Sequence, residues 1–194
     1  MTLAVLKNNR WAWRVAEPFW RWDAARKSNI VRAHMSKGSK VLDIGAGFCF
    51  VSEILESHGY DTTALDIENL SVTPLQPRVY DGRHIPYEDD SFDVALLLTV
   101  LHHTRSHDQI VSEARRVAKR LIIIEDVYES RFQKRLTHLA DSLINFEFKG
   151  HPHSNRRESS WSRFFERHGL NVNHAGHRRL AYFKQGVYVL DRMR

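Results

Sequence analysis

One stretch restricts the fold of this chain more than any other: Val41-Leu42-Asp43-Ile44-Gly45-Ala46-Gly47, an apolar run that ends in Gly-x-Gly and opens onto the helix-like segment Cys49 to His58. A buried strand ending this way at a helix start lets backbone and exposed N–H groups approach a ligand closely. Nineteen residues after Gly47, Asp66 closes a second apolar run, about where a carboxylate can accept both hydroxyls of a ribose. Strand, glycine turn, helix, strand, carboxylate is the order of a Rossmann-like α/β unit holding a nucleoside-containing cofactor.

Missing residues narrow the cofactor. A dinucleotide site needs a third glycine three residues after the second, and Phe50 stands there. No GxxxxGK[ST] loop occurs, so a triphosphate cradle has no support either. S-adenosylmethionine is the remaining common candidate.

Further segments follow the same order. Tyr80-Asp81-Gly82 precedes Ile85-Pro86-Tyr87, and Ser91-Phe92-Asp93-Val94 runs on to Leu101-His102-His103. As a set, these segments resemble the class I S-adenosylmethionine-dependent methyltransferases, small-molecule type, similar to the quinone-biosynthesis group. The resemblance covers roughly Lys40 to Asp126. It departs at Cys49, where the family usually has a third glycine, and at Val117-Ala118-Lys119-Arg120, which replaces a Pro-Gly-Gly turn. It implies a mostly parallel seven-stranded sheet with helices on both faces and an antiparallel strand pair at the C-terminal end.

Periodicity marks the elements. Strands are expected at Lys40–Ile44, Asp61–Asp66, Arg78–Asp81, Phe92–Leu98 and Leu121–Glu125, then at Leu170–His177 and Tyr182–Leu190 as the antiparallel pair. Four consecutive Leu and Ile residues from Leu121 suit a parallel strand covered on both faces. Helices are expected over Cys49–His58, Asp108–Val117, an amphipathic stretch through Phe132, Leu136, Leu139, Ala140 and Leu143, and a segment capped by Ser160 and ended at Gly169. At the start, Pro18 is read as an interruption, with a helix from Phe19 to about Met35 that caps the cleft. The 194 residues are read as a single methyltransferase domain: an N-terminal helical cap (1–39), a cofactor-binding core (40–126), and substrate-side helices with terminal strands (127–194).

Composition bounds the setting. One cysteine allows no intramolecular disulfide, the longest apolar run is far below a membrane span of roughly 18 residues, and Met1 to Leu6 lacks signal-peptide features. Cytoplasmic residence is expected, and the oligomeric state is left open. The net charge of +6 favours anionic partners without choosing among RNA, phospholipid and an acidic metabolite.

Methyl transfer from a sulfonium is an in-line displacement, for which holding the reactants in line supplies about 7 to 11 kcal/mol and no obligatory catalytic residue is needed. The motifs therefore speak more clearly about cofactor than acceptor. The Gly45-Ala46-Gly47 loop admits the methionyl part, and Asp66 is the ribose ligand. Asp43 either holds the loop or faces the cofactor's amino group. The resemblance implies that Ile67 packs on adenine and that Asp81 and the Gly82 N–H read its edge, and Leu98, at the end of the fourth strand, is counted with the cofactor-binding residues. His102 and His103 follow that strand, where open parallel sheets place ligands: one serves as a base, or the pair orders the loop. The acceptor pocket is expected between the N-terminal helix, the loop after the fourth strand and the segment from Tyr128 to Arg163, lined by Trp20, Trp22, Tyr128 and His151. Tryptophans at helical spacing also seal cores, and Trp with Arg in alternation also suits stacking on bases. No metal is expected, because the twelve histidines lack a ligand spacing. A small-molecule acceptor leads. An RNA acceptor, or a protein that binds the cofactor without turnover, stands as the alternative.

Overall fold

The computed structural model describes residues 9–104, 106–127, 158–180 and 183–193. Within them the chain runs α1 (Arg10–Arg32), β1 (Lys40–Ile44), α2 (Phe50–Ser57), β2 (Asp61–Asp66), β3 (Arg78–Val79), β4 (Phe92–Leu98), a short 3-10 turn (Leu101–His103), α3 (His107–Val117), β5 (Ala118–Val127), α4 (Glu158–Arg167), β6 (Leu170–Leu180) and β7 (Phe183–Arg192). These strands form one seven-stranded sheet in the order β3-β2-β1-β4-β5-β7-β6. β1 to β5 pair in parallel, whereas β7 runs antiparallel between β5 and β6.

Alternation along the strands sorts side chains onto two faces. Leu42, Ile44, Leu121, Ile123, Tyr188 and Leu190 pack with Ile110, Val111 and Ala114 of α3 and with Trp161, Phe164 and Phe165 of α4. Val41, Ile122, Ile124, Val187 and Val189 pack on the other face with Val31 of α1 and Leu55 of α2. Helices thus cover both faces, as the apolar character of β4 and β5 requires. Among the described residues no helix is long and apolar enough to cross a membrane.

β1, β2 and β4 have the bounds read from sequence. β3 stops at Val79, two residues early, because Tyr80 and Asp81 turn away after the Tyr80 N–H bonds to the Asp66 carbonyl. β5 begins three residues before Leu121 and ends two after Glu125. No turn separates it from α3: Ala118 is at once the helix cap, with extended backbone, and the first strand residue. The Arg192 guanidinium donates to the carbonyls of Arg115, Arg116 and Ala118, supplying partners where a turn would otherwise be needed.

The N-terminal expectation is corrected. α1 starts at Arg10, capped by the Asn9 side chain accepting from the Ala12 N–H, and it runs through Pro18 without a break. An interior proline costs a helix about 3 kcal/mol, so packing must outweigh it. Trp13 and Trp20 meet Phe48 edge-on at 4.8 and 5.5 Å between ring centres, and the Arg21 guanidinium lies over Phe50 at 4.3 Å. The expected amphipathic stretch from Phe132 to Leu143 lies outside the described residues.

Candidate functional site

The strand order reverses at β1, whose neighbours are β2 and β4, and ligands of open parallel sheets bind beyond the strand ends at such a point. Three loops leave the sheet there. The first holds Gly45 and Gly47 at φ +75° and +53°, followed by Cys49 at φ +63°. That left-handed conformation strains any residue but glycine, and it marks where the sequence departs from the expected third glycine. Cys49 does not open the helix, which starts at Phe50. Burial pushes its thiol up to about 11, which keeps it protonated and unreactive.

The two glycines do different things. A Cβ at Gly45 would lie 2.6 Å from Val100 Cγ2, so this glycine lets the β1 and β4 loops touch. A Cβ at Gly47 would meet nothing within 4 Å, so the backbone there borders open space. Below the loop, the Asp43 carboxyl accepts from Ser52 Oγ at 2.7 Å and is 2% exposed. Burial raises it to about 6, with the neighbouring Asp66 adding and the Ser52 hydrogen bond and Lys27 opposing.

Asp66 stands across the crevice from the glycines. Its Oδ2 accepts the Gly47 N–H at 2.7 Å and its Oδ1 the Ile67 N–H at 2.6 Å. Oδ1 also accepts the Glu68 N–H at 3.4 Å; a carboxylate has about four acceptor sites, so Oδ2, with one bond, retains capacity for a hydroxyl. Ile67 is 65% exposed and lies close to Gly82, where a Cβ would approach its Cγ2 to 3.1 Å. Asp81 accepts the N–H groups of Arg83 and His84, and these bonds hold its carboxyl below the usual range. The structure therefore brings Asp43, Gly45, Ala46, Gly47 and Asp66 into one hydrogen-bonded loop, with Ile67 and Gly82 paired beside it. Leu98 is buried at the end of β4.

The histidines separate. His102 is 1% exposed, and its Nδ1 lies 2.7 Å from Oε2 of the fully buried Glu125. Glu125 Oε1 accepts the N–H groups of Val100 and Leu101 at 2.8 and 2.6 Å. This carboxylate thus fixes the loop after β4, with His102 as part of the fixture. His103, half-buried, packs against His102 with ring centres 4.0 Å apart and the ring planes tilted by 43°.

α1 reaches the same edge. Lys27 Nζ lies 2.8 Å from Asp23 and donates to Thr99 Oγ1 at 2.9 Å, where Thr99 has φ +61°. Arg26 binds Asp23 and Gln185, and Gln185 donates to Asp126, whose carboxyl burial raises. Trp20 is half-buried against Phe48, next to the glycine loop, whereas Trp22 is exposed and its ring neighbour is Phe19. Tyr128 and His151 lie outside the described residues. Among the described residues no group of three or more His, Cys, Asp or Glu is arranged to hold a metal ion.

Sequence reading missed Glu125, Lys27, Thr99 and Val100. Glu125 reads as the end of an apolar strand, and nothing in the linear order signals that its partners lie 23 to 25 residues upstream. A shallow groove of about 550 Å³ opens at the opposite, amino-terminal edge of the sheet. Lys119 and Arg120 in its wall are already paired with Asp93 and Asp191, which makes it a poor rival.

Residues 42–121 match a family described as a methyltransferase domain. The sheet order, the two covered faces and the glycine loop at the reversal point agree with that match. The fold is that of a SAM-dependent methyltransferase. Solved structures with this methyltransferase fold include a SAM-dependent methyltransferase of Methanosarcina mazei (18% identity, TM-score 0.65, covering 84% of this chain and 97% of that one). The partner of the Trm112 methyltransferase activator in a Haloferax volcanii complex is similar over 99% of this chain and 98% of its own (16%, 0.74). Magnesium protoporphyrin IX methyltransferase of Synechocystis, solved with bound SAH, is similar over 92% and 84% (17%, 0.62). No curated protein matches the sequence.

Proposed function

We propose that this chain, folded as one domain, binds S-adenosylmethionine in the crevice beyond β1 and β2 and transfers its methyl group to a small-molecule acceptor. The observation that carries the reading is the 2.7 Å bond from the Gly47 N–H to the Asp66 carboxylate, which joins the glycine loop to the end of β2 beside exposed Ile67. The residues fit such a cofactor: open space over Gly47, a carboxylate with acceptor capacity for a ribose hydroxyl, and an apolar wall from Ile67 for adenine. When bound, the cofactor supplies an electrophilic methyl group on sulfur.

The protein's own part is orientation and exclusion of water. Asp66 accepts a ribose hydroxyl, the Gly45 to Gly47 backbone meets the methionyl end, and the start of α2 favours its carboxylate. Asp43 holds the loop from below through Ser52. Asp81, Gly82 and Leu98 border the base. His103, less buried than His102, is the better placed of the two to take a proton from the acceptor, and Glu125 with His102 holds that loop in position. Trp20 is assigned to the acceptor side with Tyr128 and His151, whereas Trp22, exposed beside Phe19 on the other face of α1, is not.

Calorimetry with the adenosyl cofactor should show binding, and Asp66→Ala should weaken it roughly ten- to a hundred-fold, as expected for losing a charged hydrogen bond. A silent titration with folded protein would reject the proposal. A second reading, with RNA as acceptor, draws on the charge of +6. RNA affinity that falls steeply with salt would favour it.

A further inference from the structure

Four of the seven large apolar side chains exposed among the described residues fall on one stripe of α1: Trp11 and Val15, each 81% exposed, Phe19 and Trp22. Their spacing of four, four and three residues places them on one helix face. The opposite face is already in use, with Trp13 and Trp20 on Phe48, Ala24 and Val31 buried, and Lys27 on Thr99. α1 is therefore apolar on two sides, and the described residues cover one of them. An exposed apolar stripe of this kind marks an interaction surface.

Charge indicates what it meets. The segment 7–27 has six cations (Lys7, Arg10, Arg14, Arg21, Arg26, Lys27) against two carboxylates (Glu17, Asp23), so four of the six net positive charges of the chain lie here. Arg14 is exposed one turn from Pro18 and next to Val15, and Arg21 borders the stripe while paired with Glu17 and Glu53.

We infer that α1 docks the protein on an anionic phospholipid surface, with Trp11, Val15, Phe19 and Trp22 entering the interface and Arg14 meeting headgroup phosphates. Tryptophan and phenylalanine on one face with arginine at its border is the composition of a helix that lies in the plane of the headgroups. α1 is not apolar enough to cross the bilayer. Nucleic acid fits less well, because the stripe sets aliphatic Val15 among its rings, holds no cation within it, and apart from the indole N–H groups of Trp11 and Trp22 offers nothing to hydrogen-bond a base edge. A second copy fits less well, because an antiparallel two-fold pairing of the stripe sets the Arg14 borders on the same side. This inference does not depend on methyl transfer.

Flotation with vesicles of phosphatidylcholine, alone or mixed with phosphatidylglycerol, tests it on the full chain. The protein is expected to float with the anionic vesicles, less so at high salt and less so as Arg14→Glu. The double variant Trp11→Ser/Val15→Ser should partition roughly tenfold or more weakly, since it removes two interfacial apolar groups. Its circular dichroism and melting should match wild type, because both side chains are four-fifths exposed. Absence of flotation, equal flotation with neutral vesicles, or an unaffected double variant overturns the inference. RNA binding, or a dimer by light scattering, that is lost in the double variant would also overturn it in favour of those occupants. A thiol at Val15→Cys that resists maleimide would show that another part of the chain covers the stripe, and buried Cys49 would not confuse that reading.

Discussion

Gly45 carries a constraint that its sequence motif does not reveal. Its φ of +75° and the 2.6 Å distance from a built Cβ to Val100 Cγ2 mean that Gly45→Ala meets both backbone strain and a collision. Together these should cost about 2 to 4 kcal/mol in urea denaturation. Val100→Ala in the same chain should recover the collision part, so the double variant loses less than the two single losses combined. Asp43 supplies a pH signature. Because burial lifts its folded pKa to about 6 from an ordinary value of 3.8, the folded state holds this proton more tightly than the unfolded one. Its contribution to stability is therefore complete below about pH 4 and is lost as pH rises through 6. Asp43→Asn keeps an oxygen for Ser52 and removes the titration. The variant should gain on wild type between pH 4 and 6, by up to about 3 kcal/mol in denaturation curves across that range. A difference that stays flat with pH would show that the carboxyl does not titrate there.

Between elements, the contact that matters most to the candidate site is the one from β5 to the loop after β4. The parallel register sets Leu98 beside Ile124, and the next residue on β5, Glu125, then faces the N–H groups of Val100 and Leu101 and the ring of His102. Glu125→Ala would leave these buried groups without that acceptor, and a loss of about 3 kcal/mol or more is expected in thermal or urea unfolding. α1 contributes a second brace, because Lys27 holds Thr99 in its left-handed conformation from across the sheet edge. The helix also persists through Pro18, since docking of Trp13 and Trp20 on Phe48 offsets the missing backbone bond. Local rules stop the helix at Pro18; the aromatic contacts that overrule them belong to residues thirty positions away.

Taken as a whole molecule, the parallel half was the most legible part. β1, β2 and β4 are buried or half-buried runs bounded by turn residues, so their ends are written locally. The meeting of the glycine loop with Asp66 was legible too, because the interval of nineteen residues is the length of one helix and one strand. β3 and the true length of β5 were not, since their ends depend on hydrogen bonds from neighbouring strands and from Arg192. Glu125 escaped for the same reason: a carboxylate after four aliphatic residues looks like an exit to solvent until the neighbouring strand is placed.

The position of β7 has a consequence for how the molecule assembles. β5 takes its second partner from a strand 65 residues further along, as the pairing of Ile123 with Tyr188 shows. Contacts this distant form slowly. Until they form, the Leu121 to Ile124 run presents an open, aliphatic strand edge, which is the kind of surface that captures a neighbouring unfolded copy. Recovery of native protein on refolding is then a race between this late closure and collision, and dilution favours the former.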